Sequence, residues 1–282
     1  ESDLLTERAD AYTIDRSTPS PTVPKTLHDA LMARLDRLSS AKEVAQIGAV
    51  IGPQFSYPMI ASVSRFDEGA LRSGLDSLVD AGIVIVSASE PEETFSYRHA
   101  LIRDTAYNSL LKRERRTLHA RVVEALNSSS LHDDFAEPEI LAHHYTMADL
   151  PDEAIEQWYQ AGQRAVERSA GIEAATQLGR AIALLERQED SVDRDRKETR
   201  IQTLRAGVLR STAGIAADET GAVYARIRDL CNRLGETEQV FPVLNGLYAY
   251  HLVRGEYDLA KDVAAQLLAL ANLTGETPHT MI

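Results

Sequence analysis

The sequence predicts a mainly α-helical protein in two parts: a small helical domain with a β-hairpin, then an array of paired helices. Three observations carry this expectation. Aromatic residues are sparse at 6% of 282 while Ala and Leu abound, a bias toward helix-on-helix packing and away from sandwiches. Apolar residues recur three and four apart along most of the chain, with one change to a strand-like period near residues 83–97. Two polar stretches, 16–24 with three prolines and 128–134 rich in Ser and Asp, separate the periodic regions. The expected division is therefore 1–23, 24–127 and 128–282.

Taken in order, Pro24 suits the first turn of a helix running to about Leu38, with Leu27, Leu31, Leu35 and Leu38 on one stripe. A second helix follows Ser39-Ser40, places Val44, Ile47, Val50 and Ile51 inward, and stops at Gly52-Pro53. Ser56 to Ser62 reads as a short third helix. Asp67 is the expected N-cap of a fourth, with Leu71, Leu75 and Leu78 on one side and Gly82 as its stop. Ile83-Val84-Ile85-Val86 and Thr94-Phe95-Ser96-Tyr97 flank the acidic turn Ser89 to Glu93, which predicts a hairpin. Three helices followed by a two-stranded wing is the layout of a winged helix-turn-helix. Helical spacing resumes at His99 and continues, with a weak break near Lys112, to Asn127.

Beyond residue 128 the spacing repeats. Leu141, Ala142, Tyr145, Ala154, Trp158 and Ala161 match the tetratricopeptide signature, in which small residues let paired helices approach and large ones fill the groove between them. Ala174, Leu178 and Ala181 repeat the second-helix spacing, and Gly255, Tyr257 and Ala260 repeat the inter-helix turn. Residues 192–238 are less regular. A tetratricopeptide-like solenoid is the expected architecture, with an unrelated helical bundle as the alternative.

Composition narrows the function classes. The net charge is −13, and residues 128–282 carry −10 of it, which disfavours nonspecific nucleic-acid binding. In the would-be recognition helix Asp67, Glu68, Asp76 and Asp80 outnumber Arg72, so no nucleic-acid partner is expected there. One cysteine, Cys231, excludes an intrachain disulfide or a Cys-rich zinc site and fits the cytoplasm. His143 and His144 are adjacent and point about 100° apart on a helix, so they cannot chelate one ion together, and no metal site is expected. No apolar run approaches a membrane span. No Walker A loop and no nucleophile or zinc motif occurs, so no catalytic residue is expected. A start at Glu1-Ser2-Asp3 and an end past Thr277-Pro278-His279 read as a piece of a longer chain.

Val23 to Leu27, Leu31 to Leu38, Ala41 to Ala49, Phe55-Ser56-Tyr57 and Arg98 to Tyr107 together resemble bacterial multidomain regulators. These carry a STAND-type AAA/NTPase module followed by tetratricopeptide repeats, often behind a class III adenylate or guanylate cyclase domain. Related proteins carry a LuxR-type DNA-binding output instead. The resemblance implies that residues 1–15 are the end of the NTPase lid. It also implies that ATP or ADP with Mg belongs to the parent protein, with no cofactor in this segment. His99 is similar in place to the histidine of the Met-His-Asp motif, after the wing and opening a helix, although Ala100 replaces the aspartate. The role implied for His99 is donation to a nucleotide diphosphate held by the missing module. The expected partners are that NTPase module and a protein, peptide or small inducer on the repeats. A pure interaction scaffold is the rival reading.

Overall fold

The computed structural model describes residues 5–8, 11–14, 27–89, 92–128, 137–235 and 240–274. The expected linker at 16–24 and the start of the first helix at Pro24 lie outside these residues. The chain divides into two compact units, Glu1–Arg115 and Arg116–Ile282. The division falls in the first turn of a helix that the sequence assigns to its middle region.

In the first unit β1 (Leu5–Arg8) and β2 (Ala11–Ile14) pair antiparallel. Then come α1 (Leu27–Asp36), α2 (Ser40–Ile51), β3 (Gln54–Ser56), α3 (Tyr57–Val63), α4 (Glu68–Asp80), β4 (Val84–Ser89), β5 (Glu92–Tyr97) and α5 (Ala100–Asn108). Helix α2 is apolar nearly all round because it packs on both α4 and α5. At the crossing with α4, a Cβ on Gly74 would lie 2.7 Å from Val44 Cγ2, so only glycine permits this approach. The Asp67 carboxylate accepts from Ala70 N at 2.9 Å and caps α4. The helix ends in a Schellman closure: Gly82 N–H donates to Val79 O, Ile83 N–H donates to Leu78 O, and Gly82 takes a φ of +63°.

The sheet differs from expectation. The expected strands were 83–86 and 94–97 around a five-residue acidic turn, and the observed β4 and β5 run through most of that turn. A third strand, β3, pairs with β5, giving the order β3-β5-β4. Ser56 ends this strand and caps α3, its hydroxyl accepting from Met59 N, so the helix starts one residue later than expected. As the central strand, β5 buries Phe95 and Tyr97 and leaves Thr94 and Ser96 partly exposed, the period-2 alternation of a one-sided sheet. Phe55 of β3 stacks on Phe95 at 5.7 Å, and Tyr97 donates its hydroxyl to Ala45 O on α2.

The second unit is a run of helices: α6 (Lys112–Asn127), α7 (Pro138–Ala148), α8 (Pro151–Glu167), α9 (Gly171–Leu185), α10 (Val192–Thr212), α11 (Asp218–Leu234), α12 (Val240–Val253) and α13 (Tyr257–Thr274). From α7 onward each packs on its neighbours in sequence, so the architecture is an array of paired helices. Three inter-helix turns close alike. Asp149, Ser169 and Gly255 adopt positive φ, and the residue after each donates back to the carbonyl five positions earlier. After each of these turns the next helix begins two residues on and a buried alanine follows three later, Ala154 in α8, Ala174 in α9 and Ala260 in α13. One core surrounds Trp158, Leu178 and Ile201, and a second surrounds Tyr224, Ile227 and Leu244. Helix α10 contributes to both.

Helices α11 and α12 meet through reciprocal close contacts. Gly221 of α11 lies under the ring of Tyr250, and Gly246 of α12 lies under the ring of Tyr224, leaving no room for a Cβ at either. Among the described residues, no helix is long and apolar enough to cross a membrane.

Candidate functional site

Helices α8 and α10 both flank α9, and their near ends are joined by two ion pairs. Asp152 meets Lys197 at 3.0 Å, and Glu156 meets Arg200. Their order along both helices shows that α8 and α10 run parallel. The Lys197 ammonium, followed by Gln188, holds the Asp152 carboxyl below its ordinary range by hydrogen bonding. One turn further along α8, the Arg200 guanidinium stacks on Tyr159 at 4.2 Å.

Beyond this tie a groove opens between the two helices. Its first part is a cavity of about 690 Å³ lined by Tyr159, Arg196, Thr199, Arg200, Thr203, Leu204 and Gly207. Leu204 and Gly207 are shared with a second hollow of about 510 Å³, where Val166 and Ser169 face Val208 and Ser211. Arg196, Arg200, Thr203, Gly207 and Ser211 recur at three- and four-residue spacing, so they form one face of α10. Gly207 has nothing within 4 Å of the position a Cβ would take, which leaves helix backbone bare at the middle of the groove. The groove thus offers cations and an aromatic face at one end, and apolar and hydroxyl groups at the other. It contains no nucleophile–base pair.

The repeat-signature residues of α7, α8 and α9 lie at the contacts between those helices. Ala142, Ala154, Trp158, Ala161, Ala174, Leu178 and Ala181 form the first core, Leu141 is buried, and Tyr145 packs at its edge. Trp158 donates its indole N–H to Thr146 Oγ1 at 3.0 Å, and the Arg180 guanidinium lies 4.6 Å from its ring. Gly255 forms its turn at a φ of +74°, Ala260 is buried, and Tyr257 is exposed on the first turn of α13.

His99 is the N-cap residue of α5 and is exposed; its side chain makes no capping hydrogen bond. In α4, Arg72 is engaged by Glu93 and lies 3.7 Å over the Tyr57 ring. In the basic run 112–116, Arg116 pairs with Asp149 at 2.8 Å and donates to Ala148 O, so part of this run fastens α6 to the α7–α8 turn.

Two features escaped the sequence. The first is the groove itself: Arg196, Arg200 and Leu204 stand four apart, a visible signal, but only the fold pairs them with Tyr159. The second concerns His144, which is buried against a histidine from another helix. His119 Nδ1 and His144 Nδ1 lie 2.8 Å apart, so one ring donates and the other accepts, and the His143 ring lies 5.6 Å from His119. Partial shelter from solvent, then the charge of Arg180, holds the His143 imidazole below its ordinary pKa. Among the described residues no group of three His, Cys, Asp or Glu side chains is arranged to hold a metal ion.

No protein-family model matches the chain. An uncharacterised protein of Rhizobium meliloti (strain 1021) is 26% identical over 260 residues, which is 91% of this chain and 25% of that protein. The chain therefore spans about a quarter of the length of this relative. Among solved structures, a STAND protein with a tetratricopeptide repeat sensor from Pyrococcus horikoshii is similar at 13% identity and a TM-score of 0.34, covering 91% of this chain and 48% of that one. A Podospora anserina putative kinesin light chain with nearly identical TPR-like repeats gives 14% and 0.34, covering 59% and 89%. BtubC from P. vanneervenii gives 14% and 0.27, covering 90% and 96%. Scores this low fix neither the fold nor the role of this chain.

Proposed function

We propose that this chain is a non-catalytic regulatory segment whose paired helices form a tetratricopeptide-like scaffold that holds a protein or peptide segment. The observation that carries this is the open groove between α8 and α10, with bare backbone at Gly207 and anchoring groups at both ends. A groove with a few convergent polar groups and an apolar centre is the usual form of a recognition site. A small inducer would occupy only the cavity at Tyr159 and Arg200.

The wider reading makes residues 24–127 a winged helix that passes the nucleotide state of a NTPase module to the repeats and on to a cyclase-type output. Its support is the run of α2, α3 and α4, the last three of four helices ahead of the β4–β5 hairpin, the exposed place of His99, and the resemblance of the sequence to STAND regulators. In that reading ATP or ADP with Mg is bound by the rest of the parent protein. One imidazole at a helix N-terminus adds a donor to a diphosphate but cannot hold one alone. A LuxR-type output remains the alternative.

The scaffold is tested by selecting ligands from a random peptide library on the whole chain and measuring their affinity for two variants. Gly207→Leu fills the groove and should weaken binding at least tenfold. Gly179→Leu, placed in α9 where a Cβ also meets nothing within 4 Å, should leave it unchanged. Equal affinities for both variants would contradict a binding role for this groove.

A further inference from the structure

We propose that the open edge of β4 is a self-association surface, on which a second copy of this chain pairs its own β4 antiparallel about Val86. This does not depend on the groove. Arg98 N–H donates to Ile83 O, and the register of β4 with β5 continues from that pair. Hydrogen-bonded pairs therefore fall at 85/96, 87/94 and 89/92. The N–H and C=O groups of Val84, Val86 and Ala88 point the other way, to the side of β4 that has no neighbouring strand. Among the described residues no backbone bond from outside the sheet meets them. Ile85 and Val86 are 48% and 41% exposed. The strand, Val-Ile-Val-Ser-Ala-Ser, holds no charge and no proline, so nothing in it repels another strand.

Backbone pattern and charge together name the occupant. Donors and acceptors that alternate along an edge are satisfied by an extended chain. The three outward residues are spaced evenly about Val86, so β4 is its own complement. Val86 exchanges two bonds with its counterpart, and Val84 does so with Ala88 of the second copy. The two ends of the strand differ in charge. At its start, a Cβ on Gly82 would lie 3.6 Å from Arg34 Nη2 and 3.8 Å from the Arg98 guanidinium. Arg34 donates to Ala81 O, and neither arginine meets a carboxylate among the described residues. At the far end the sequence places Glu90 and Glu92, beside the Glu93 that Arg72 engages. Antiparallel pairing sets each pair of arginines toward the other copy's acidic end, whereas parallel pairing sets like beside like. The opposite edge, β3, has three residues between Pro53 and Pro58, so it cannot extend the sheet further. The assembly therefore closes as a dimer around one six-stranded sheet. An interface of one strand pair is small, so the dimer is weak.

The test is sedimentation equilibrium of the whole chain from about 10 μM to about 1 mM, the range a small interface demands. The weight-average mass should climb toward that of two chains, and added salt should reduce the climb. Val86→Pro removes an N–H that β5 does not use, and Val86→Lys sets two ammonium groups opposite each other. Both should abolish the climb, with circular dichroism reporting that each folds. Should the proline variant misfold, Val86→Lys, which keeps the backbone, decides the matter. Cross-linking reads the register. Ile85 faces Ser87 of the second copy in a non-hydrogen-bonded pair, with Cα atoms about 4.5 Å apart and within disulfide reach. Mixed Ile85→Cys and Ser87→Cys chains should therefore oxidise to dimers severalfold faster than either variant alone; the buried Cys231 is common to all. A mass that stays at one chain throughout overturns the proposal. So does a climb that Val86→Lys leaves untouched, or a mixture that cross-links no faster than its components.

Discussion

Trp158→Ala is expected to lower the unfolding free energy by about 3–5 kcal/mol, the range for removing a large aromatic from a core. The side chain is 4% exposed and sits among Ala142, Ala161 and Leu178, so it fills the space between α7, α8 and α9. Its loss also leaves Thr146 Oγ1 without the indole donor and removes the ring against which Arg180 rests. The small residues around it cannot expand to fill the cavity, and helices tied by short turns cannot close onto it. Urea unfolding followed by circular dichroism measures this directly. A change below 1 kcal/mol would mean that Trp158 does not join these helices.

Phe55→Ala should cost a similar amount, about 3–5 kcal/mol, in the first unit. Phe55 is fully buried, stacks on Phe95 and packs against Tyr97 at 6.1 Å. Gly48 on α2 has no side chain because the Phe55 ring occupies that space: a Cβ there would lie 2.6 Å from it. Truncating Phe55 therefore opens a hole between α2 and the sheet. In the Phe55→Ala background, Gly48→Ala should recover part of the loss, whereas alone it should destabilise. If both single variants and the double variant are equally stable, β3 is not a member of this sheet.

These two residues also mark where the sequence was legible. The Trp158 region announced itself because its buried face is apolar and evenly spaced, and the same holds for α2 and α4. The strand carrying Phe55 did not. It is three residues long, lies between Pro53 and Pro58, and exists only by pairing with β5 some forty positions later, which no local period can reveal. Residues 192–238 were obscure for a different reason. The inward face of α10 begins with Arg194, Asp195 and Glu198, charged residues that read as a solvated face. The fold buries them in pairs: Glu198 accepts from Arg226 at 2.6 and 2.7 Å, and Asp195 accepts from Arg233 at 2.7 Å. Hydrogen bonding to Glu198 raises the pKa of Arg226 further. Such pairs bring little net stability against an apolar contact, but breaking one strands a buried charge, so they fix which helix lies beside α10. The groove was hidden likewise, since Tyr159 and Arg200 become neighbours only when α9 sets α8 and α10 side by side.

The central claim is that the groove between α8 and α10 is where this chain holds its partner. Amide hydrogen exchange of the whole chain, with and without a peptide selected for binding, tests it most directly. The account predicts added protection in residues 159–171 and 196–212, and little change in the three-stranded sheet of the first unit. Protection confined to α12 and α13, or to residues 54–97, would contradict it.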